Sequence, residues 1–409
     1  MALDVEIVRL GAQGDGVAEG PHGPIFVPFA LPGERVAVEP AADGKHAALL
    51  DVLVRSPERA DPICPHFGLC GGCTLQHLEE AAYLEGKREQ VVQALRSRGL
   101  DIEVEPVRTV PVGSRRRATL TLGRNQQGLA LGYRRARSHD LIDIDICPVL
   151  SPRIVKRLPK LKTALAPLLG RKREARVGVT ETETGLDIVI EGVRPSEAVL
   201  VRLAGDAAKL GVARITVDGD AFLPGAPPTV RFGSAEVRLP AGAFLQASKE
   251  AETVMTELVR EGVGRAKLIA DLFAGLGTFT LALAQTAAVY AFEADEAALA
   301  ALSEAARHTP KLKPVRTVPR DLFLTPVGVK ELNRYDAVVF DPPRAGAAAQ
   351  AEALAKSKMK KIVAVSCNPG TLARDLRIIV DGGYRLTRVV PVDQFLFSSH
   401  VEVVAHLER

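Results

Sequence analysis

The side chains of this chain that could do chemistry stand at the ends of apolar runs. Cys367 lies in "AVSCNPG" (364–370), between β-branched residues and an Asn-Pro-Gly breaker. A thiol there is a packed core group, a metal ligand or a nucleophile. Free cysteine is among the most buried residue types, so its neighbours have to decide. "FDPPRAG" (340–346) ends another apolar run with Asp341, where open α/β sheets bind ligands. The two prolines hold the chain away from helix and remove two amide donors. A plain strand-to-turn transition would not also need the charged pair Asp341 and Arg344. "HVEVV" opens the last apolar run with Glu402, a carboxylate able to serve as a base.

"DLFAGLGTFTLALA" (271–284) ends a strand pattern and opens a helix, so Gly275 and Gly277 would let the backbone approach a ligand. A lone G-x-G is a weak signal, and Thr280 stands where a dinucleotide fingerprint needs its third glycine. Glu293, at the end of the next run, suits the two hydroxyls of a ribose, and Asp321, after "VRTVPR", is placed to meet an adenine amino group. Asp271, the glycine loop and these two carboxylates together fit S-adenosylmethionine; each acid alone could be a helix cap or a surface group. A thiol beside that cofactor suits a carbon acceptor. Carbon 5 of uracil is a poor nucleophile, and adding a thiolate to carbon 6 turns the ring into an enolate that can attack a methyl sulfonium. Carbon 5 then still carries a proton, which a base must remove before the thiol leaves, and Glu402 is the candidate. Amino-directed methyltransferases, with a related D-P-P-Y pattern, and cytosine-C5 enzymes are competing readings. An amine is already nucleophilic and needs no thiol.

These groups need elements that bring them to one edge. "KLIADLF", "AVYAFEAD", "YDAVVFDPP" and "KIVAVSC" are apolar without alternation and separated by Ala/Leu-rich helical segments, the pattern of a parallel sheet buried on both faces. "YRLTRVVPVD" and "VEVVAHLE" are joined by too few residues for a crossover and must pair antiparallel. The expected fold class is α/β, a Rossmann-like S-adenosylmethionine-dependent methyltransferase domain over 241–409. A mixed α+β middle domain is expected over 58–240. Within it two alternating runs flank Asn125-Gln126-Gln127-Gly128, a hairpin signature. Arg115, Arg116, Arg117, Arg124, Arg134, Arg135 and Arg137 crowd that window without an acid between them, either a phosphate-binding face or a solvated one. Residues 1–57 hold five short strand patterns broken by Gly and Pro, including "PIFVPFAL", which suggests a small OB-like β-barrel. That unit is an RNA-docking module or a plain β-appendage.

The chain has 409 residues, 47% hydrophobic and 25% charged, with a formal net charge of +4. A polyanion partner would have to be met by a local patch. No apolar leader and no run long enough to span a membrane is visible, so a cytoplasmic protein without membrane contact is expected. Aromatic residues are only 4% with no Trp, so recognition of nucleic acid should lean on charge and shape over base stacking. The five cysteines, an odd number, suit metal binding or catalysis better than disulfides. Cys64, Cys70, Cys73 and the distant Cys147 form a thiolate set that fits zinc or an iron-sulfur cluster.

In order, "FLQAS", "DLFAGLGTF", "FDPPRAG", "SCNPGTLARDL" and "HVEVVAHL" resemble the RNA (uracil-5-)-methyltransferase family, over nearly the whole chain. The N-terminal strands resemble a TRAM domain, and the cysteine-bearing middle is similar to the iron-sulfur domain of the bacterial 23S ribosomal RNA branch. The resemblance implies Cys367 as nucleophile, Glu402 as base and Asp341 on the uracil or cofactor. It places Gln246, Phe273, Thr278, Glu293, Asp321 and Asp341 around S-adenosylmethionine. It turns Cys64, Cys70, Cys73 and Cys147 toward a [4Fe-4S] cluster. The implied activity is methylation of carbon 5 of one uridine in RNA, 23S rRNA before tRNA, by a monomer that does not act on DNA. A cluster-bearing RNA-binding protein of redox function is the reading from another class. Leu396 and Ser398 replace the family's proline and threonine, and Ser248 stands where asparagine is common.

Overall fold

The computed structural model describes residues 2–136, 138–170, 174–222 and 226–409. Seven strands in the last third form the sheet that positions the site. They are β1 (Leu268–Leu272), β2 (Ala288–Glu293), β3 (Val315–Pro319), β4 (Ala337–Phe340), β5 (Lys361–Ser366), β6 (Arg385–Asp393) and β7 (Glu402–Glu408). Their order is β3-β2-β1-β4-β5-β7-β6. β1 to β5 run parallel, and β7 lies antiparallel between β5 and β6. Only residues 394–401 join β6 to β7, too short for a crossover, so the antiparallel ending follows. Arg108–Thr109 adds a short parallel strand beyond β6 and ties the preceding segment to this sheet.

Both faces of the sheet are covered, which is why its strands are apolar throughout. One face buries Phe292, Phe340, Ala364 and Val403 against the helix Pro369–Asp381; the other buries Val339, Val363 and Val404 against Met255 and Val259 of the helix Lys249–Val263.

Before it, a seven-stranded sheet joins Arg117–Asn125, Gly128–Arg134 and Leu141–Asp143 to Glu174–Glu181, Leu186–Glu191, Val212–Val217 and Asp220–Phe222. The one parallel pair, Leu186–Glu191 with Val212–Val217, is connected by the helix Glu197–Lys209, as a parallel pair requires. The Asn125 to Gly128 turn closes the hairpin. At the N-terminus five antiparallel strands are ordered Gly23–Val27, Gly16–Gly20, Leu3–Leu10, Arg35–Pro40 and Ala47–Val54. Phe26 N donates to Lys45 O at 2.8 Å, bringing the two outer strands of that order together. The third run is shorter than "PIFVPFAL" suggests: it ends at Val27, because Pro28 lacks a ladder donor and Phe29 turns to a φ of 64°. Among the described residues no helix is long and apolar enough to cross a membrane.

Candidate active site

At the end of β1 the chain turns sharply: Phe273, Gly275 and Gly277 have φ of 61°, 54° and 87°. A Cβ on Gly277 would come within 2.3 Å of Leu302 Cδ1, whereas nothing stands within 4 Å of one on Gly275. Gly277 therefore permits helix packing, and Gly275 leaves backbone open to a ligand. Thr278 opens the helix that follows. Gly275 N donates to Glu293 Oε2 at 3.0 Å, while Ala294 N and Asp295 N donate to Oε1, so three amides fix the Glu293 carboxylate at the tip of β2. Asp321 Oδ1 accepts the amides of Phe323 and Leu324, the capping role open to any acid at a strand end. The half-exposed Phe323 ring lies 5.5 Å from Phe273, an aromatic pair beside the glycine loop that no motif announced. Asp271 is fully buried; Thr280 Oγ1 donates to one oxygen, and Oδ1 has no partner among the described residues. Burial, with the charge of Asp341 adding to it, pushes this carboxyl up to about 7. An orphaned carboxylate oxygen and an open glycine backbone fit a ligand carrying an ammonium and a sulfonium.

β4, β5 and β7 bring the second group together. Phe340 pairs with Ala364, and Ser366 with Val403, so Asp341, Cys367 and Glu402 emerge side by side. The Cys367 thiol is pushed up to about 11 by burial and by the charges of Glu402 and Asp341, with Arg344 opposing. Glu402 is raised by burial and then by Asp341; Asp341 is raised by burial and drawn back by a hydrogen bond from Gln246. Two buried carboxyls beside a thiol that needs a proton acceptor make a proton-handling site. Gln246 Nε2 donates to Asp341 Oδ2 at 3.1 Å, and Gln394 Nε2 donates at 2.8 Å to both Gln246 Oε1 and Glu402 Oε1. Gln394 was invisible as a site residue in the sequence, a polar amide directly after Asp393 at the end of β6.

The loop after β4 is latched to the turn after β5: Arg344 O accepts Asn368 Nδ2 at 3.1 Å and Thr371 Oγ1 at 3.2 Å. Asn368 caps the helix Pro369–Asp381, which explains the Asn-Pro-Gly breaker. Cys367 opens into a cavity of about 410 Å³, lined also by Arg344, His400, Gln90 of the helix Glu80–Arg96 and Gln13 of the first N-terminal turn.

Cys64, Cys70, Cys73 and Cys147 all line a second cavity of about 280 Å³ with Tyr133 and Leu396. Burial and the neighbouring thiolate charges push Cys73 up to about 12 and Cys70 to about 11. Among the described residues no three His, Cys, Asp or Glu are arranged to hold a single metal ion. The four thiols around this cavity are the residues that would hold a metal or iron-sulfur centre.

The acid-free arginine window does not survive folding as one face. Arg116 is buried against Glu252 and donates to Gln246 O at 3.0 Å, and Arg134 pairs with Glu174. Arg117 donates to Leu245 O and stacks over the Phe244 ring. Distant acids supply the partners that the local window lacks. Arg124 and Arg135 remain exposed; Arg137 lies outside the described residues. The departures from the family pattern are absorbed locally. Ser248 caps the helix Lys249–Val263 as asparagine would, Ser398 makes turn hydrogen bonds to Phe395 O and from His400 N, and Leu396 is buried.

The parallel sheet with its antiparallel ending, and the acids at its strand ends, define an S-adenosylmethionine-dependent methyltransferase. The description tRNA (Uracil-5-)-methyltransferase matches residues 230–409. The chain is 48% identical over 413 residues to an uncharacterized RNA methyltransferase of Agrobacterium fabrum, covering 99% of each. It is 35% identical to the 23S rRNA (uracil(1939)-C(5))-methyltransferase RlmD of Chromohalobacter salexigens, over 99% of this chain and 89% of that one. The structure of Pyrococcus abyssi tRNA (uracil-54, C5)-methyltransferase with S-adenosyl-L-homocysteine superposes with a TM-score of 0.75 at 25% identity, over 99% of both chains. The chain belongs to the RNA (uracil-5-)-methyltransferase family.

Proposed function

We propose that this methyltransferase modifies carbon 5 of one uridine in 23S rRNA through a covalent adduct of Cys367. The observation that carries the reading is the meeting of Cys367, Asp341 and Glu402 at three adjacent strand ends, with the thiol open to a cavity. S-adenosylmethionine, when bound, supplies a methyl group on sulfonium, and Gln246, Phe273, Thr278, Glu293, Asp321 and Asp341 are its assigned contacts. Cys367 loses its proton to a neighbouring carboxylate and adds to carbon 6 of the uracil. Carbon 5 takes the methyl group, and Glu402 removes the remaining proton so that the C6–S bond breaks. The ribosomal target is favoured over tRNA by 35% identity against 25%.

The same reading divides the chain into 1–57, a TRAM-like OB barrel that binds RNA, 58–240, which holds a [4Fe-4S] cluster on Cys64, Cys70, Cys73 and Cys147, and 241–409, the catalytic domain. It makes the protein a cytoplasmic monomer. The position of Gln13 over the Cys367 cavity supports an RNA role for the first unit. RNA carrying 5-fluorouridine at the target tests the chemistry, because fluorine cannot leave as a cation. Wild-type protein should form a denaturation-resistant adduct only with S-adenosylmethionine present, and Cys367→Ala none. An equal adduct yield from Cys367→Ala would overturn the covalent assignment; methylation mapped only in tRNA would move the target.

A further inference from the structure

Gln394 links the two carboxyls of the site, through Gln246 to Asp341 and directly to Glu402. It is 3% exposed, and both its carbonyl oxygen and its amino group are engaged. Its Oε1 accepts Ala247 N at 2.7 Å. Its Nε2 donates at 2.8 Å to Gln246 Oε1 and at 2.8 Å to Glu402 Oε1. The Ala247 amide, which can only donate, sets the direction of the whole chain. Gln394 must present its carbonyl to Ala247 and its amino group to Glu402 and Gln246, which turns the amino group of Gln246 toward Asp341. A flipped Gln394 would set carbonyl against carboxylate at one end and N–H against N–H at the other. Two amides thus separate two buried carboxyls and hold one oxygen of each as an acceptor.

The consequence falls on Glu402. Its Oε1 is engaged, while Oε2 is buried without a partner among the described residues. We infer that Gln394 is a positioning residue that, by engaging Oε1, assigns proton removal from carbon 5 to Oε2 of Glu402. This rests on the covalent reading above. In the step concerned, the C5–H electron pair becomes the C5–C6 double bond as the C6–S bond breaks. The sulfur leaves with the pair of that bond, and the proton moves to Oε2. The charged or titratable groups facing Glu402 are Asp341 and Cys367, with Arg344 beside the thiol. Asp341 and the low dielectric both favour the neutral acid, so the Gln394 donor opposes them.

Two variants separate positioning from folding. Gln394→Met removes the amide, whereas Gln394→Glu keeps the shape and an acceptor for Ala247 N but replaces the donor. Resolution of the methylated adduct on ordinary uridine RNA should slow by about ten- to a hundredfold in either, the value of one hydrogen bond to a charged group. Loss of the donor raises Glu402, so the acidic limb of the elimination rate should move to higher pH, a shift that simple loss of packing would not cause. If Gln394→Met does not fold, Gln394→Glu decides. Wild-type adduct lifetimes and an unmoved limb in a folded variant overturn the assignment. Absence of any adduct from wild type on 5-fluorouridine RNA, or from Glu402→Gln on uridine, sinks the covalent reading instead.

Discussion

Asp271 shows what one buried carboxyl does to a whole fold. Its folded value of about 7 stands above the 3.8 of an unfolded chain, because burial opposes its charge. A raised group contributes stability that is fully present below pH 3.8 and is lost as the pH climbs through about 7. The loss is on the order of 4 kcal/mol at one pKa unit per 1.36 kcal/mol. Asp271→Asn should therefore flatten the decline in melting temperature between pH 4 and 8 in cofactor-free protein, measured against wild type so that Asp341 and Glu402 cancel. Parallel profiles would show that Asp271 titrates normally. That Cys367, Asp341 and Glu402 would meet was legible from their position at the ends of apolar runs. Gln394 was not, because an amide carries no chemical signature until its partners surround it.

The segment 394–401 between β6 and β7 is held from outside its own sheet. Lys87 of the helix Glu80–Arg96 donates at 2.5 Å to Asp393 Oδ1, at 3.1 Å to Phe395 O and at 2.8 Å to His400 O. Tyr83 of the same helix donates to Asp393 Oδ2 at 2.5 Å and accepts Phe397 N at 2.8 Å. Lys87 and Asp393 are 2% and 0% exposed, so removing either leaves a buried charge alone. Lys87→Met should cost about 3–5 kcal/mol in denaturant unfolding, and Lys87→Met with Asp393→Asn should recover part of it. A loss below about 1 kcal/mol would mean that the segment holds itself. The strands themselves followed from unbroken apolar runs, and their antiparallel ending from the short connection. That a lysine would be buried on so polar a helix did not follow, since its partner lies over 300 positions away.

Across the molecule, the cavity of the four cysteines gathers Cys64, Cys70 and Cys73 with Cys147 and with Phe395 and Leu396 of the 394–401 segment. A cluster there would tie the cysteine loop, the middle sheet and the segment leading to Glu402. Protein purified without oxygen should contain iron and sulfide in equal amounts, and Cys147→Ser should lower both along with the melting temperature. One zinc and no iron would overturn the cluster. The arginine window points the same way in reverse: its seven residues read as one basic face, yet Glu252 and Glu174 from elsewhere take Arg116 and Arg134 into ion pairs.

The sequence alone determined what depends on neighbours along the chain: the apolar runs that must be covered on both faces, the breaks that end them, and the reactive types placed at those breaks. Parallel strands set their carboxyl ends along one edge, so residues scattered from 271 to 367 could be assigned to one site before any contact was known, whereas Gln246 entered only through the family resemblance. Tertiary structure alone decided which polar groups are paired. Hydrogen bonds and ion pairs act over about 3 Å, and the direction of the Gln394 amide, the engagement of Glu402 Oε1 and the burial of Lys87 each depend on a group that folding brings from elsewhere in the chain.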